Sequence, residues 1–239
     1  YALSSDIESM TGVNTISPTW FSVASKDGTV SSLADSSYVE TAHEKGLEVW
    51  GLVDNFNQEV DMKEVLTNTT AREKLTTQLI EAALEYQLDG LNIDFENLGE
   101  ELGDAYIEFL RELSIQCRKN NLVLSSDNTV PRDFSAYYQR SEQAEVVDYF
   151  IIMGYDEHYV GSDPGSVASL SFEKEGIEST IAEGVPADKI ISGVPFYTRL
   201  WKTDTSGEVS SEAIGMNTAD STLEANGVTA NWSDETSQD

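Results

Sequence analysis

The chain has 239 residues, with 43 Asp or Glu against 14 Lys or Arg, and a formal net charge of -29 at pH 7. This charge argues against a nucleic-acid partner and disfavours anionic membrane surfaces, because phosphate recognition needs clustered Lys and Arg. No apolar run approaches the roughly 18 residues of a membrane span, so we expect a soluble chain without membrane insertion. A single cysteine excludes an internal disulfide, and two histidines give little support for zinc chemistry. We therefore expect no metal and no cofactor.

Apolar, β-branched segments alternate with helical patterns along the chain. In chain order, the strand candidates are residues 14–23, 47–54, 90–96, 122–128, 149–155 and 189–195. Because a helix between two strands can serve as their crossover, the alternation predicts an α/β fold with a parallel sheet. A doubly wound sheet and a TIM (β/α)8-type barrel both fit. No strand candidate is followed by a glycine-rich phosphate loop, which disfavours the nucleotide-binding versions of the doubly wound sheet.

The first helix candidates have recognisable ends. Ser37 and Glu40 have the spacing of a capping box, and Gly46 follows as a stop signal. Either Asn68 or Thr69 can cap the helix that comes next. These signals predict a helix between each of the first three strand candidates.

Two further helical patterns lie near residues 101–120 and 172–183. Cys117 lies on the apolar stripe of the first, which predicts a buried structural thiol and not a nucleophile. Residues 202–239 are rich in Ser, Thr, Asp and Gly, and are predicted to form a loop or small hairpin. Because no internal repeat or long linker appears, residues 1–239 are interpreted as one domain.

The strand candidate 90–96 has two faces of different chemistry. Apolar Leu91, Ile93 and Phe95 alternate with polar Asn92, Asp94 and Glu96. A buried parallel strand normally has two apolar faces, so a polar row ending in Glu at the carboxyl end indicates an active site. Two neighbouring carboxylates raise one another's pKa, so we interpret Glu96 as a general acid whose proton Asp94 modulates. The alternative is that Asp94 and Glu96 cap helices or form ion pairs in a loop. This would explain Glu96 by itself but not the whole alternating row.

The sequence DGLNIDFE at residues 89–96 resembles the DGxDxDxE signature of glycoside hydrolase family 18. Asn92 stands where many members have the first Asp of the inner row. This Asn form resembles a bacterial subgroup that includes spore-cortex-lytic, peptidoglycan N-acetylglucosaminidases. Other segments are similar to further strands of the family, in the right order: residues 18–21, 50–55, 153–156 and 193–201.

The resemblance implies a TIM (β/α)8-type barrel in which strands two to seven are present and the first and eighth are missing. The chain is accordingly interpreted as a fragment of a longer protein, and residues 1–10 as the end of the helix that follows the first strand. The family implies a retaining hydrolase of β-1,4-linked N-acetylglucosamine polymers that uses substrate-assisted catalysis. It also implies an extracellular, cell-wall or spore-associated location.

The resemblance assigns roles to particular residues. Glu96 would protonate the leaving glycosidic oxygen, and Tyr155 would hold the substrate's 2-acetamido group for attack on the anomeric carbon. Asp94 would stabilise the positive charge on the acetamido nitrogen, while Asp156 and Asn128 would contact sugar hydroxyls. Asn92 completes the polar row as a further substrate-binding candidate.

Four aromatic residues are candidates for stacking on sugar rings, with core packing equally open for each. They are Trp20, Trp50, Tyr197 and Trp201. The Asn form of the signature and residues 196–201 favour peptidoglycan, whereas the acidic composition disfavours an anionic wall polymer and keeps chitin open. A third possibility is a catalytically silent glycan-binding module on the same fold.

Overall fold

The computed structural model describes residues 4–238, so the first three residues of the predicted amino-terminal helix and residue 239 lie outside the described part. The chain forms two compact units. One comprises residues up to Asn128, Arg132–Ile151 and Glu183–Ile190, and the other Thr129–Pro131, Ile152–Ala182 and the residues from Ile191 onward.

The first unit alternates strands and helices. Its elements in chain order are α1 (Ser4–Ser9), β1 (Thr15–Ile16), β2 (Thr19–Val23), β3 (Val30–Ser32), α2 (Ser36–Glu44), β4 (Glu48–Asp54), α3 (Met62–Leu66), α4 (Thr69–Glu85), β5 (Gly90–Asp94), α5 (Gly103–Lys119), β6 (Val123–Thr129), α6 (Arg140–Ala144) and the start of β7 (Tyr149–Met153). Short 3₁₀ helices at Glu100–Leu102 and Asp133–Tyr138 precede α5 and α6. Strands β2, β4, β5 and β6 pair in parallel, β1 pairs with β4, β3 lies antiparallel on β2, and β7 follows β6.

The second unit contains the end of β7 and the elements that follow it. These are α7 (Leu170–Ala182), most of β8 (Ile190–Gly193), β9 (Tyr197–Thr203), β10 (Val209–Gly215) and α8 (Met216–Ala225). The main-chain N–H of Gly154 donates to the carbonyl of Gly193 at 2.9 Å, so the end of β7 lies beside β8. Strands β9 and β10 form an antiparallel hairpin. The segment 202–239, predicted as loop or hairpin, therefore also holds helix α8.

The parallel α/β sheet confirms the predicted fold class and is that of a partial TIM-type barrel. Within residues 4–238 the strands do not close into a barrel. The single strand predicted over residues 14–23 is instead divided into β1 and β2. The break lies at Pro18, which has no N–H to donate to a neighbouring strand, although its carbonyl accepts from Leu52 N at 3.0 Å. Across the same residues every helix is too short or too polar to span a lipid bilayer.

Helix ends agree with two of the predicted signals and correct a third. The capping box of Ser37 and Glu40 is wrong, because Asp35 is the N-cap and its carboxylate accepts from Ser37 N at 2.8 Å. A carboxylate before the first turn satisfies the free N–H groups and suits the positive end of the helix dipole. Gly46 ends the helix with φ 74°, and Asn68 caps α4 by accepting from the second and third N–H groups of that helix. Both of these predictions are confirmed.

The face of β5 that carries Phe95 is covered by α5. Phe95 is 1% exposed, and its ring stacks on Phe109 of α5 at 5.4 Å between centroids. Burial of one such side chain contributes roughly 1.5–3 kcal/mol, so this contact helps to hold the helix on the sheet. Cys117, further along α5, is buried, and burial raises the pKa of its thiol to about 12. The predicted structural thiol is confirmed, and the opposite face of β5 is left for polar residues.

Candidate active site

Polar side chains line one face of β4, β5 and β6 towards their carboxyl ends. We call Asp54, Asn92, Asp94, Ser125 and Asp127 the inner polar row; all five are less than a tenth exposed. The register pairs Asp54 with Asp94 and Asn92 with Ser125. Asp127 lies two residues beyond Ser125 and therefore on the same face. The predicted polar row is thus continued by both neighbouring strands.

Hydrogen bonds link most of the inner polar row. The Ser125 hydroxyl donates to Asn92 Oδ1 at 2.8 Å, and Asn92 Nδ2 donates to Asp127 Oδ2 at 2.9 Å. On β4, Asp54 Oδ1 accepts from the Ser22 hydroxyl at 2.7 Å. Asp94 Oδ1 and Asp127 Oδ1 are buried and have no hydrogen-bond partner in the described chain. Two buried acceptors without donors leave this cluster ready to bind protons.

The inner polar row holds protons near neutral pH. Burial, with the charges of Glu96 and Asp54 adding to it, raises the pKa of Asp94 to about 7. Burial and the charge of Asp94 raise the pKa of Asp127 to about 8, although the hydrogen bond from Asn92 lowers it. Both effects disfavour the charged form of a carboxyl group. The carboxyl groups beside Glu96 can therefore change protonation state in the pH range where enzymes work.

Glu96 lies just beyond the carboxyl end of β5, because the strand ends at Asp94 and not at Glu96 as predicted. The side chain of Asn55, which follows β4, takes the place of the strand-to-strand hydrogen bonds that Glu96 lacks. Asn55 Nδ2 donates to Glu96 O at 2.8 Å, and Glu96 N donates to Asn55 Oδ1 at 2.9 Å. Asn97 then has a φ of 53° and turns the chain away. Glu96 is half-buried and lines a cavity of about 250 Å³, which a general acid requires for access to a substrate.

Two tyrosines hold the loop that follows Glu96. The Tyr138 hydroxyl donates to the carbonyl of Phe95 at 3.1 Å and accepts from Leu98 N at 3.2 Å. The Tyr137 hydroxyl donates to the carbonyl of Leu98 at 2.6 Å. With these contacts on one side and Asn55 on the other, the backbone of Glu96 is fixed on both flanks.

Asn128 was predicted as a substrate-binding residue, whereas Asp127 was not. Asn128 is 2% exposed and forms a reciprocal amide pair with Gln143, with Nδ2 donating to Oε1 at 3.0 Å and Oδ1 accepting from Nε2 at 2.9 Å. It lies on the face of β6 opposite to the inner polar row, so the structure does not bring it together with Glu96. The sequence contains a pattern that could have predicted Asp127, since Ser125 and Asp127 are two residues apart, as Asn92 and Asp94 are, and therefore share a face of their strand. No sequence pattern predicted a role for Asn55, because that role depends on its contact with the main chain of Glu96.

The two predicted tryptophans of the first unit are buried. Trp20 is 8% exposed and packs edge-on against Tyr38 of α2 at 5.4 Å between ring centroids. Trp50 is 6% exposed, pairs with the first residue of β5 and stacks on Tyr149 at 5.3 Å. It precedes Asp54 by four residues, or roughly 13 Å along the strand. Both positions are those of core residues.

In the second unit the predicted residues Tyr155, Asp156 and Tyr197 come together. Tyr155 follows β7, which ends at Met153, and its ring lies edge-on to Tyr197 at 6.2 Å. The Tyr197 hydroxyl donates to Asp156 Oδ1 at 2.9 Å, and burial raises the pKa of this tyrosine to about 12. Arg199 lies 3.5 Å from the same oxygen. Asp156 has a φ of 57°, a left-handed conformation that these contacts maintain.

Trp201 lies on the wall of a separate cavity in the second unit. This cavity measures about 750 Å³ and is also lined by Tyr197 and Arg199. The indole Nε1 of Trp201 donates to the carbonyl of Gly165 at 3.1 Å, which fixes the plane of the ring. Trp201 is half-buried, so part of its side chain remains accessible, as stacking on a sugar requires. In residues 4–238, no group of three or more His, Cys, Asp or Glu side chains is arranged to hold a metal ion.

A parallel α/β sheet with buried carboxyl groups at the carboxyl ends of its strands is typical of hydrolases built on TIM-type barrels. The family model described as glycosyl hydrolases family 18 matches residues 13–239. The chain belongs to this family, as its sequence motifs predicted, and is a glycoside hydrolase domain.

Three curated relatives are Bacillus proteins. The uncharacterized glycosylase YvbX of Bacillus subtilis (strain 168) is 29% identical over 188 residues, covering 74% of this chain and 54% of YvbX. The putative sporulation-specific glycosylase YdhD of the same strain is 32% identical over 193 residues, covering 76% and 45%. The cortical fragment-lytic enzyme of Bacillus anthracis is 25% identical over 189 residues, covering 75% and 44%. The chain spans about half the length of the curated relatives it matches.

Solved structures resemble the chain over nearly its whole length. The crystal structure of YdhD from Bacillus subtilis has a TM-score of 0.84 and 27% identity, covering 93% of this chain and 76% of that one. The C-terminal domain of a putative chitinase from Desulfitobacterium hafniense DCB-2 has a TM-score of 0.83 and 24% identity, covering 94% and 72%. At that identity the second likeness concerns the fold alone.

Proposed function

We propose that this domain hydrolyses β-1,4-linked N-acetylglucosamine polymers with retention of configuration, with Glu96 as general acid and base, and that peptidoglycan is preferred to chitin. The observation that carries the proposal is the setting of Glu96. Its backbone is held by Asn55, it is one of the residues that line a cavity, and it follows a strand whose polar face contains the buried, protonatable Asp94. Such a setting suits a carboxyl group that gives and takes a proton.

Substrate-assisted catalysis requires one catalytic carboxyl group and not two at a nucleophile's distance. Glu96 gives its proton to the leaving glycosidic oxygen while the substrate's acetamido oxygen attacks the anomeric carbon and forms an oxazolinium ion. A water molecule, deprotonated by Glu96, then opens that ion. Asp94, as an anion, stabilises the positive charge on the acetamido nitrogen. For Tyr155 the family implies a hydrogen bond to the acetamido group, and Asp156 is retained as a contact to sugar hydroxyls.

Substrate preference rests on the relatives and on the signature. One relative is named a cortical fragment-lytic enzyme and another a putative sporulation-specific glycosylase, which supports peptidoglycan and a cell-wall or spore-associated location. Asn92 in the signature supports the same subgroup. The net charge of -29 opposes an anionic wall polymer and supports uncharged chitin as the alternative.

The test compares release of reducing ends from purified peptidoglycan and from chitin oligosaccharides by the full-length protein. Glu96→Gln is expected to lose on the order of 10²–10⁴ in kcat, because the amide cannot give a proton. Glu85→Gln, the same change at an exposed position on α4, serves as the matched control and should keep wild-type activity. Nuclear magnetic resonance of the first product should show the β-anomer. An α-anomer, or full activity of Glu96→Gln, would contradict the proposed mechanism.

A second candidate is a catalytically silent glycan-binding module. It predicts that wild type and Glu96→Gln bind sugar equally and that neither releases reducing ends. The presence of the acid, the buried Asp94 and Tyr155 in the matching motif positions favours the enzyme over this candidate.

A further inference from the structure

Asn92 is the departure from the family signature, and Asp127 lies next to it. Both polar atoms of the Asn92 amide form hydrogen bonds. Oδ1 accepts from Ser125 Oγ at 2.8 Å, and Nδ2 donates to Asp127 Oδ2 at 2.9 Å. The two neighbours on β6 therefore set the orientation of this amide. An amide suits this position better than a carboxylate, because a carboxylate has no N–H to give to Asp127.

Asp94 and Asp127 are neighbours on one face of the sheet. The register pairs Asn92 with Ser125, and each aspartate lies two residues further along its own strand. Paired strands lie about 4.8 Å apart, and residues two apart share a face. Oδ1 of each aspartate is buried, with no hydrogen-bond partner in residues 4–238. Two such acceptors side by side are satisfied together when one of them carries a proton.

The groups that face this pair within the first unit favour retention of that proton. They are Asp54 at the end of β4, Glu96 after β5 and the buried Tyr106 of α5. None of the three is a cation. Burial raises the pKa of both aspartates, with Glu96 and Asp54 adding to the shift of Asp94, and Asp94 and Glu96 to that of Asp127. Two groups that interact in this way ionise in two steps that belong to the pair as a whole.

We propose that Asp94 and Asp127 form a proton-sharing carboxyl pair, in which Asp127 on β6 supplies the carboxyl group that Asn92 does not supply on β5. This inference rests on the proposed function, since it concerns how the same site works. With one proton held on Asp127, Asp94 carries the negative charge that the acetamido nitrogen requires. Loss of that proton leaves two adjacent carboxylates whose repulsion moves Asp94. Asp127 is a positioning residue that acts through Asp94.

The decisive variant is Asp127→Asn, which replaces the shared proton by an amide N–H that does not ionise. Infrared spectroscopy of the full-length protein at neutral pH should show a protonated carboxyl band in wild type. The band should become weaker in Asp127→Asn, because this variant removes the carboxyl group that is proposed to hold the proton at neutral pH. Asp133→Asn, at an exposed position, is the matched control and should keep the band.

The pH dependence of kcat separates positioning from a merely structural role. Asp127→Asn should keep kcat within about tenfold at the optimum and show one ionisation fewer on the alkaline side. Asp127→Ala removes the donor altogether and should lose on the order of 10²-fold in kcat with little change in KM. The double variant N92D/D127N returns the carboxyl group to β5 and should restore both the infrared band and the alkaline ionisation.

The two proposals fail in different ways. If wild type cleaves no N-acetylglucosamine polymer, the proposed function is wrong, and the infrared titration still decides whether the pair shares a proton, because it needs no substrate. If wild type cleaves the polymer but Asp127→Asn keeps the band at full strength and the full pH profile, the carboxyl pair is wrong and the function stands.

Discussion

Asn55 and the main chain of Glu96 exchange two hydrogen bonds, one from Nδ2 to the Glu96 carbonyl at 2.8 Å and one from the Glu96 N–H to Oδ1 at 2.9 Å. The side chain of a residue that follows β4 thus continues the β4–β5 ladder beyond the last residue of β5. The strand can end, and Glu96 can leave the sheet plane, without an unsatisfied backbone group. The main chain that carries the Glu96 carboxyl group is therefore held by an amide side chain that follows the neighbouring strand.

Asn55→Ala should lower kcat by on the order of 10²-fold, because both bonds that orient Glu96 are lost and small misplacements of a catalytic group are costly. KM should change far less than kcat. Steady-state kinetics on peptidoglycan or chitin oligosaccharides measures both constants. Asn231→Ala, an exposed asparagine with only a local hydrogen bond, is the control. An unchanged kcat in Asn55→Ala would show that the clamp is not needed for catalysis.

Asn128→Ala should destabilise the fold by about 1–3 kcal/mol, since it removes two buried hydrogen bonds from the amide of Gln143, which keeps only its contacts with Ser126 and Tyr138. Urea unfolding followed by circular dichroism measures the loss. KM should stay within twofold or so of wild type, because Asn128 lies on the face of β6 opposite to the inner polar row. A large rise in KM without loss of stability would restore Asn128 as a sugar contact.

Trp50 and Trp201 should respond differently to substitution. Trp50→Phe removes part of a buried ring that stacks on Tyr149, so it should lower stability by roughly 1 kcal/mol or more and leave KM unchanged. Trp201→Ala removes a half-buried side chain on a cavity wall, and should raise KM about tenfold if this ring stacks on sugar. Thermal unfolding and kinetics on the same preparations separate the two effects. The reverse pattern would assign the sugar contact to Trp50.

Stability should fall as pH rises through the neutral range. The pKa values of Asp94 and Asp127 are raised from the ordinary 3.8 to about 7 and about 8 in the folded chain. A folded-state pKa above the unfolded one gives stability that is fully present below about pH 4 and lost as pH rises through 7 to 8. Urea unfolding at pH 5 and pH 9 should differ by roughly 1 kcal/mol or more.

Asp127→Asn tests whether the buried carboxyl pair causes the fall in stability with rising pH. Its free energy of unfolding should decrease less between pH 5 and pH 9 than that of wild type, because the amide does not ionise. Asp133→Asn retains both buried carboxyl groups and should follow wild type. Parallel curves for wild type and Asp127→Asn would place the pH dependence elsewhere in this acidic chain.

Local patterns were sufficient where one strand or one helix decides the outcome. The alternation over residues 90–96 predicted which side chains of β5 face the helices and which form a polar row, because side-chain direction in a strand has a period of two. Glycine and asparagine signals at Gly46 and Asn68 predicted helix ends, since capping is a contact within a few residues. The capping box at Ser37 was wrong because the helix begins earlier: Asp35 is the N-cap, and Ser37 lies inside the first turn.

The sequence by itself determined the α/β fold class, the family and the candidate acid Glu96, because each depends on periodicity or on a contiguous motif. Only the tertiary structure decided which residues surround that acid. Asp127 and Asn55 reach Glu96 and its neighbours through strand register, a relation between segments far apart in the chain that no local pattern encodes. For the same reason no local pattern shows that Asn128 lies on the face of β6 opposite to the inner polar row, or that Trp50 lies near the start of β4.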